Sequence, residues 1–183
     1  METTKILAIV AVTMVLTSCG KNSYRSSDLR LRDLQGNVAS VTMNYETELF
    51  DENGMNVTPK MVIERDGQNR IVKFECDPQY DAGDAWFSEV YEYDKAGNLS
   101  KCNRESYYSS QEIRYIYEKG HLSKTLTTCF GEGDEWTVET AYTILESDEQ
   151  GNWTKRKWHA IEENAEGTSE RDGEDSRKIV YRK

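Results

Sequence analysis

Histidine is scarce in this chain, with 2 in 183 residues, and neither His121 nor His159 stands near a Gly-x-Ser-x-Gly turn or a similar nucleophile motif. Catalysis by a base-activated nucleophile therefore has no visible partners, and a non-enzymatic protein is expected. No Cys-x-x-Cys occurs among the 4 cysteines, so no zinc site, dithiol centre or cofactor is expected. Positive charge is also short: 23 Lys and Arg against 33 Asp and Glu leave a net charge of −10. Such a field repels phosphate backbones, which argues against a nucleic-acid partner. Long apolar runs are missing too. The longest, Ile6 to Leu16, is too short to cross a bilayer as a helix, and a mean hydropathy of −0.80 leaves room for a thin core in one domain.

What is present begins with that short run. Lys5 leads into it, as in a secretory signal, and it ends in Leu16-Thr17-Ser18-Cys19, which resembles the lipobox of bacterial lipoprotein precursors. The resemblance implies a signal peptide over residues 1–18 and lipidation of Cys19, with the lipid bilayer as a partner through the acylated cysteine. At about 0.8 kcal/mol per buried methylene, two or more acyl chains hold far more firmly than one. Gly20 rather than Asp after the cysteine resembles the outer-membrane sorting pattern, so the implied location is the cell envelope. Residues 19–29 are mostly small and polar and read as a flexible lipidated tether, followed by a single domain over residues 30–183.

That domain repeats one module. Its clearest copy runs from Tyr91-Glu92-Tyr93 through Asp94-Lys95-Ala96-Gly97 to Asn98-Leu99-Ser100-Lys101. Asp94 suits the first position of a type I turn and Gly97 the left-handed residue that closes it, so the module reads as a β-hairpin. The expected register pairs Asp94 with Asn98, Tyr93 with Leu99 and Tyr91 with Lys101. The frame returns at Asp33–Val38, Asp51–Gly54, Asp66–Ile71 and Asp148–Trp153, with Asn69 in the left-handed place of glycine,. A shorter relative spans Tyr115 to Lys124, where a two-residue turn at Lys119-Gly120 pairs Glu118 with His121 and Tyr117 with Leu122,.

Tyr91 to Leu99 resembles the tyrosine-aspartate (YD) repeat of RHS-type shell proteins, and residues 33–158 as a whole look like small bacterial envelope lipoproteins carrying such repeats. The resemblance implies an all-β fold: an antiparallel meander of repeated hairpins in a twisted open or curled sheet. Too few modules are present to close a shell around a toxin.

Alternation along each strand, counted from the residue after each turn without a bulge, puts Cys76, Cys102, Cys129, Trp86, Trp136 and Trp158 on the face opposite the tyrosines. The three cysteines are left as one bridge plus a thiol, as three thiols, or as a metal or redox site. Trp86, Trp136 and Trp158 are the candidate ligand-binding residues, either as a stacking platform or as a second packed surface. Lys101, Lys124 and Lys155 share one module position, where an aliphatic stem can cover apolar surface. Glu162 to Asp175 reads as a solvated loop and Arg177 to Lys183 as a closing strand. The expected function is a membrane-anchored, non-enzymatic binding or structural role through sheet edges or a sheet face, toward an envelope protein; the alternative is glycan binding on the tryptophan face.

Overall fold

The computed structural model describes residues 24–76, 86–118 and 120–183; the leader and Cys19 lie outside them. One short helix, α1 (Ser27–Leu31), precedes eleven strands: β1 (Val38–Met43), β2 (Glu46–Leu49), β3 (Met61–Arg65), β4 (Ile71–Cys76), β5 (Phe87–Tyr93), β6 (Leu99–Ser106), β7 (Ser109–Glu118), β8 (His121–Gly131), β9 (Asp134–Ser147), β10 (Trp153–Asn164) and β11 (Gly167–Tyr181). They form one antiparallel sheet in the order β2-β1-β11-β10-β9-β8-β7-β6-β5-β4-β3, not closed into a barrel. The all-β hairpin meander is thus the observed architecture. Among the described residues no helix is long and apolar enough to cross a membrane.

The aspartate turns all fall at one end of the sheet, and their chemistry repeats. In four of them the carboxylate accepts from the main-chain N–H two or four residues on: Asp51 from Asn53 and Met55, Asp66 from Gln68 and Arg70, Asp94 from Asn98, Asp148 from Gln150 and Asn152; the frame at Asp33–Val38, expected as a hairpin, instead joins α1 to β1. The four are Asx turns, in which a side chain does the work of a backbone acceptor. Asp94 N bonds Asn98 O at 2.9 Å, Tyr93 pairs Leu99 and Tyr117 pairs Leu122, as the module predicts.

One residue further on, the register departs from expectation. Tyr91 pairs Cys102, not Lys101, because Ser100 is an extra residue that bulges from the ladder. The same slip recurs at Val72, Ser123, Thr154 and Ala39, though not after Asp51–Gly54, and β9 carries an extra residue of its own at Leu145. Each bulge inverts the parity of the rest of its strand. Cys76, Cys102, Cys129, Trp136 and Trp158 therefore lie on the tyrosine face, paired with Met61, Tyr91, Gln111, Cys129 and Tyr142 in turn. The expected opposite-face placement is overturned for these five; Trp86 lies outside the strands, just before β5.

The outer face receives the residue after each bulge. It is lysine in four copies, and each reaches a glutamate: Lys73 to Glu75 at 2.8 Å, Lys101 to Glu112 at 2.8 Å, Lys124 to Glu139 at 2.5 Å and Lys155 to Glu174 at 2.7 Å. In the last three the glutamate sits on the next strand, diagonal to the lysine, so the shared module position is an ion-pair ladder.

The inner face curls around α1. The tether expected through residue 29 is overturned from Tyr24 onward, since Asp28 is 1% exposed and Leu29 0%. Ser26 caps the helix by accepting from Leu29 N at 3.1 Å,. Leu29 and Leu34 join Val38, Val41 and Phe50 in one apolar cluster, while Leu31 packs on a second built from Ile71, Phe74, Tyr91, Leu99 and Cys102. Gly54 lies under the helix at φ +79°, and a Cβ there would stand 2.8 Å from Leu29 Cδ1, so both backbone and space demand glycine.

Polar staples hold the helix to both edges of the sheet. Asp28 takes both terminal nitrogens of Arg65, beside β3's end, at 2.7 Å, and Asn56 N at 2.6 Å. Arg32 grips Glu48 on β2 at 2.7 and 2.9 Å and lies over the Phe74 ring on β4. Residues 162–175, expected as a loop, belong to the β10–β11 hairpin instead. The closing strand is present through Tyr181, but it pairs β1 and β10 inside the sheet.

Candidate functional site

The inner face divides into two zones. Near the turn end, α1 and the segment after it roof a cavity of about 280 Å³ against β1, β2, β5–β8, β10 and β11. Beyond it the long strands β7–β11 run on, and among the described residues no helix lies over them. Their inner surface between Trp136 and Trp158 is floored by small or short side chains, including Val138, Thr140 and Ala160.

A cation–π stack stands between the zones. Arg177 lies 3.9 Å from the Trp153 ring centre, and Arg156 lies 4.3 Å from Trp153 and 4.2 Å from Tyr142. Such contacts strengthen when desolvated, and Arg177 is 8% exposed. Burial pushes the Arg177 guanidinium down to about 10. Its N–H groups are spent on main-chain oxygens of Trp153, Arg32 and Asp33 at 2.6, 2.8 and 2.8 Å, tying the segment after α1 to β10.

On the open side of the stack, Trp158 pairs Tyr142 and Gly173. Gly173 is needed for space, not for backbone freedom: a Cβ there would lie 2.2 Å from Trp158 Cζ2. The indole thus lies flat on β11. Trp136 is six residues from Tyr142 along β9, which at about 3.4 Å per residue sets the two tryptophans roughly 20 Å apart.

Trp136 closes the distal end. Its ring lies 3.4 Å from the position a Cβ on Gly131 would take, as does the main-chain oxygen of Tyr108. Tyr108 meets Tyr107 edge-on at 6.5 Å, and Tyr107 meets Trp86 at 5.5 Å. A groove of about 580 Å³ opens here, lined by Tyr108 and Trp136 with Asp134, Glu135, Glu162 and Asn164. Tyr107 is 53% and Tyr108 66% exposed, whereas Trp86, Trp136 and Trp158 are half-buried. The structure thus brings Trp136 and Trp158 onto one surface and sets Trp86 at its distal rim, through tyrosines that sequence reasoning passed over. The available signal was the pair of adjacent tyrosines itself.

The thiols contribute packing. Cys102 is 1% and Cys129 4% exposed, and burial pushes the Cys102 thiol up to about 12, which suppresses thiolate and its reactivity at neutral pH. His121 and His159 stand on different strands, and His159 faces Asp172 at 3.3 Å on the outer face. No protein-family model matches this chain, and no curated protein matches it.

Proposed function

We propose that this is a lipid-anchored, non-enzymatic binding protein of the bacterial cell envelope that holds a neutral glycan chain on the open part of its inner face. The observation that carries the reading is the uncovered surface between Trp136 and Trp158, with an aromatic at each end and a low floor between. Sugar rings present apolar faces to aromatics and hydroxyls to acceptors. The carboxylates of Asp134 and Glu135 beside Trp136 offer those acceptors and disfavour acidic sugars, while Glu162 is held by Arg171 at 2.6 Å.

Attachment at Cys19 fits this orientation. Only four residues separate Cys19 from Tyr24, five steps with a reach of at most about 18 Å, and Tyr24 is fixed at the turn end by its hydroxyl to Asp33 at 2.8 Å. The aspartate turns then face the bilayer, and the aromatic end points away from it. Gly20 supports an outer-membrane address.

Pairing of a second protein on the sheet edges is the weaker reading. β2 has 4 residues and β3 has 5, and Leu49 on β2 already uses its N–H on Thr58 Oγ1 and its oxygen on Val57 N. Short, occupied edges make poor templates for strand addition.

The test is a titration of the full chain in phosphatidylcholine nanodiscs against a panel of neutral and acidic polysaccharides, read by tryptophan fluorescence. Saturable binding of a neutral glycan that is lost in Trp136→Ala is expected. A flat response across the panel contradicts the glycan assignment.

A further inference from the structure

The roofed cavity at the turn end has chemistry of its own, separate from the open face. In a chain of net charge −10, four guanidinium groups line it: Arg30, Arg32, Arg156 and Arg177. Two are neutralised. Arg32 is bidentate on Glu48, and Arg156 holds Asp175 at 2.7 Å.

The other two meet no carboxylate among the described residues. Arg30 gives Nη2 to the Asn98 side-chain oxygen at 2.7 Å, while its Nε is sealed from solvent with no acceptor. Arg177 donates only to carbonyl oxygens, which leaves two of its five N–H groups without an acceptor, and the carboxylates that act on it, Asp33 and Asp148, form no direct ion pair with it. The carboxylates in the lining do not supply the deficit. Glu48 is taken by Arg32 and Asn56 and Glu89 by the Tyr91 hydroxyl and Arg104; Asp33 accepts from Tyr24 and acts on Arg177 only from beyond ion-pair distance, and Glu46 is exposed. Partly or fully buried cations without a direct ion-pair partner are costly, and an anion bonded to both would lower that cost.

The rest of the lining is apolar or aromatic, with Met43, Leu99, Leu122, Tyr115 and Tyr117 among it. At about 280 Å³ the space falls just below the roughly 300 Å³ at which drug-sized sites begin. We propose that this cavity is a binding site for a small organic carboxylate, its acid group set between Arg30 and Arg177 and its apolar body against the tyrosines. The site is walled from the open face by the Trp153–Arg156–Tyr142 stack, so it does not depend on the glycan reading.

Benzoate and its neutral isostere benzamide are the probes, with the full chain in nanodiscs and thermal melting as the readout. Benzoate is expected to raise the melting temperature saturably, while benzamide, and sodium chloride at matched ionic strength, do not. Arg30→Gln keeps a donor for Asn98 but removes the charge, and is expected to weaken benzoate by at least about tenfold, as loss of a charged hydrogen bond does. Equal shifts from benzoate and benzamide, a shift reproduced by sodium chloride, or undiminished benzoate binding in a folded Arg30→Gln protein overturns the proposal. Should that variant not fold, the wild-type comparison of the two probes decides.

Discussion

The two ends of the sheet are built on different principles. At the turn end, order comes from polar staples: aspartates that close turns on main-chain N–H groups, and Asp28, Asn152 and Arg177, each at most 8% exposed, that tie α1 and the segment after it to distant parts of the chain. At the distal end, the hairpins of β7–β11 carry half-buried or exposed aromatics with little above them. One end is held by a dense hydrogen-bond network and the other is left open among the described residues, which is the division expected when a rigid scaffold presents a binding surface.

That contrast can be broken most severely at Asp28. Asp28→Ala leaves Arg65 and Asn56 N without their buried partner and should cost about 3–5 kcal/mol, read as a fall in melting temperature, with the distal hairpins keeping their strand structure. Equal loss of structure at both ends would show that the ends are not separate in this way.

Acid should attack the same end next. Main-chain N–H groups hold the carboxyls of Asp51 and Asp66 below the ordinary 3.8, and those at Asn98 and Ala96 outweigh burial at Asp94. A depressed folded value means the stabilisation is complete above the ordinary carboxyl range and is lost as pH falls through the lower, folded values. Amide exchange followed downward from pH 5 is expected to rise at these turns before it rises at the β8–β9 and β10–β11 tips.

Legibility in the sequence followed the same division. The hairpins, the turn residues and the Tyr93–Leu99 and Tyr117–Leu122 pairs were readable because an aspartate and a left-handed residue at fixed spacing determine them. The bulges were not, since Ser100, Ser123, Val72, Thr154 and Ala39 share only modest size. A signal was nevertheless present: the inward residues recur three apart, as in Ile71 and Phe74, Leu99 and Cys102, Val38 and Val41, where an unbroken strand requires two. The helix also escaped, because its five residues lie in a polar stretch and are stable only through Asp28 and Leu29 contacts more than twenty residues away in sequence. Trp136 and Trp158 were assigned to the wrong face, for want of the bulges.

Smaller effects sharpen the distal side. Gly173→Ala must displace the Trp158 ring and should cost about 1–2 kcal/mol, as overpacking does, with a shift in tryptophan emission and weaker glycan binding. The outer ladder should matter least. Lys101→Ala removes a partly exposed pair with Glu112 and should change stability by about 0.5 kcal/mol in denaturant unfolding, with no effect on ligand binding at either zone.

Everything placed on the inner face depends on the extra residue at each bulge. Cross-strand Hα–Hα and amide contacts measured by NMR between β5 and β6 test it directly. The account predicts that Tyr91 lies opposite Cys102 and Glu92 opposite Lys101, with Ser100 unpaired; contacts joining Tyr91 to Lys101 would return the cysteines and tryptophans to the outer face and contradict it.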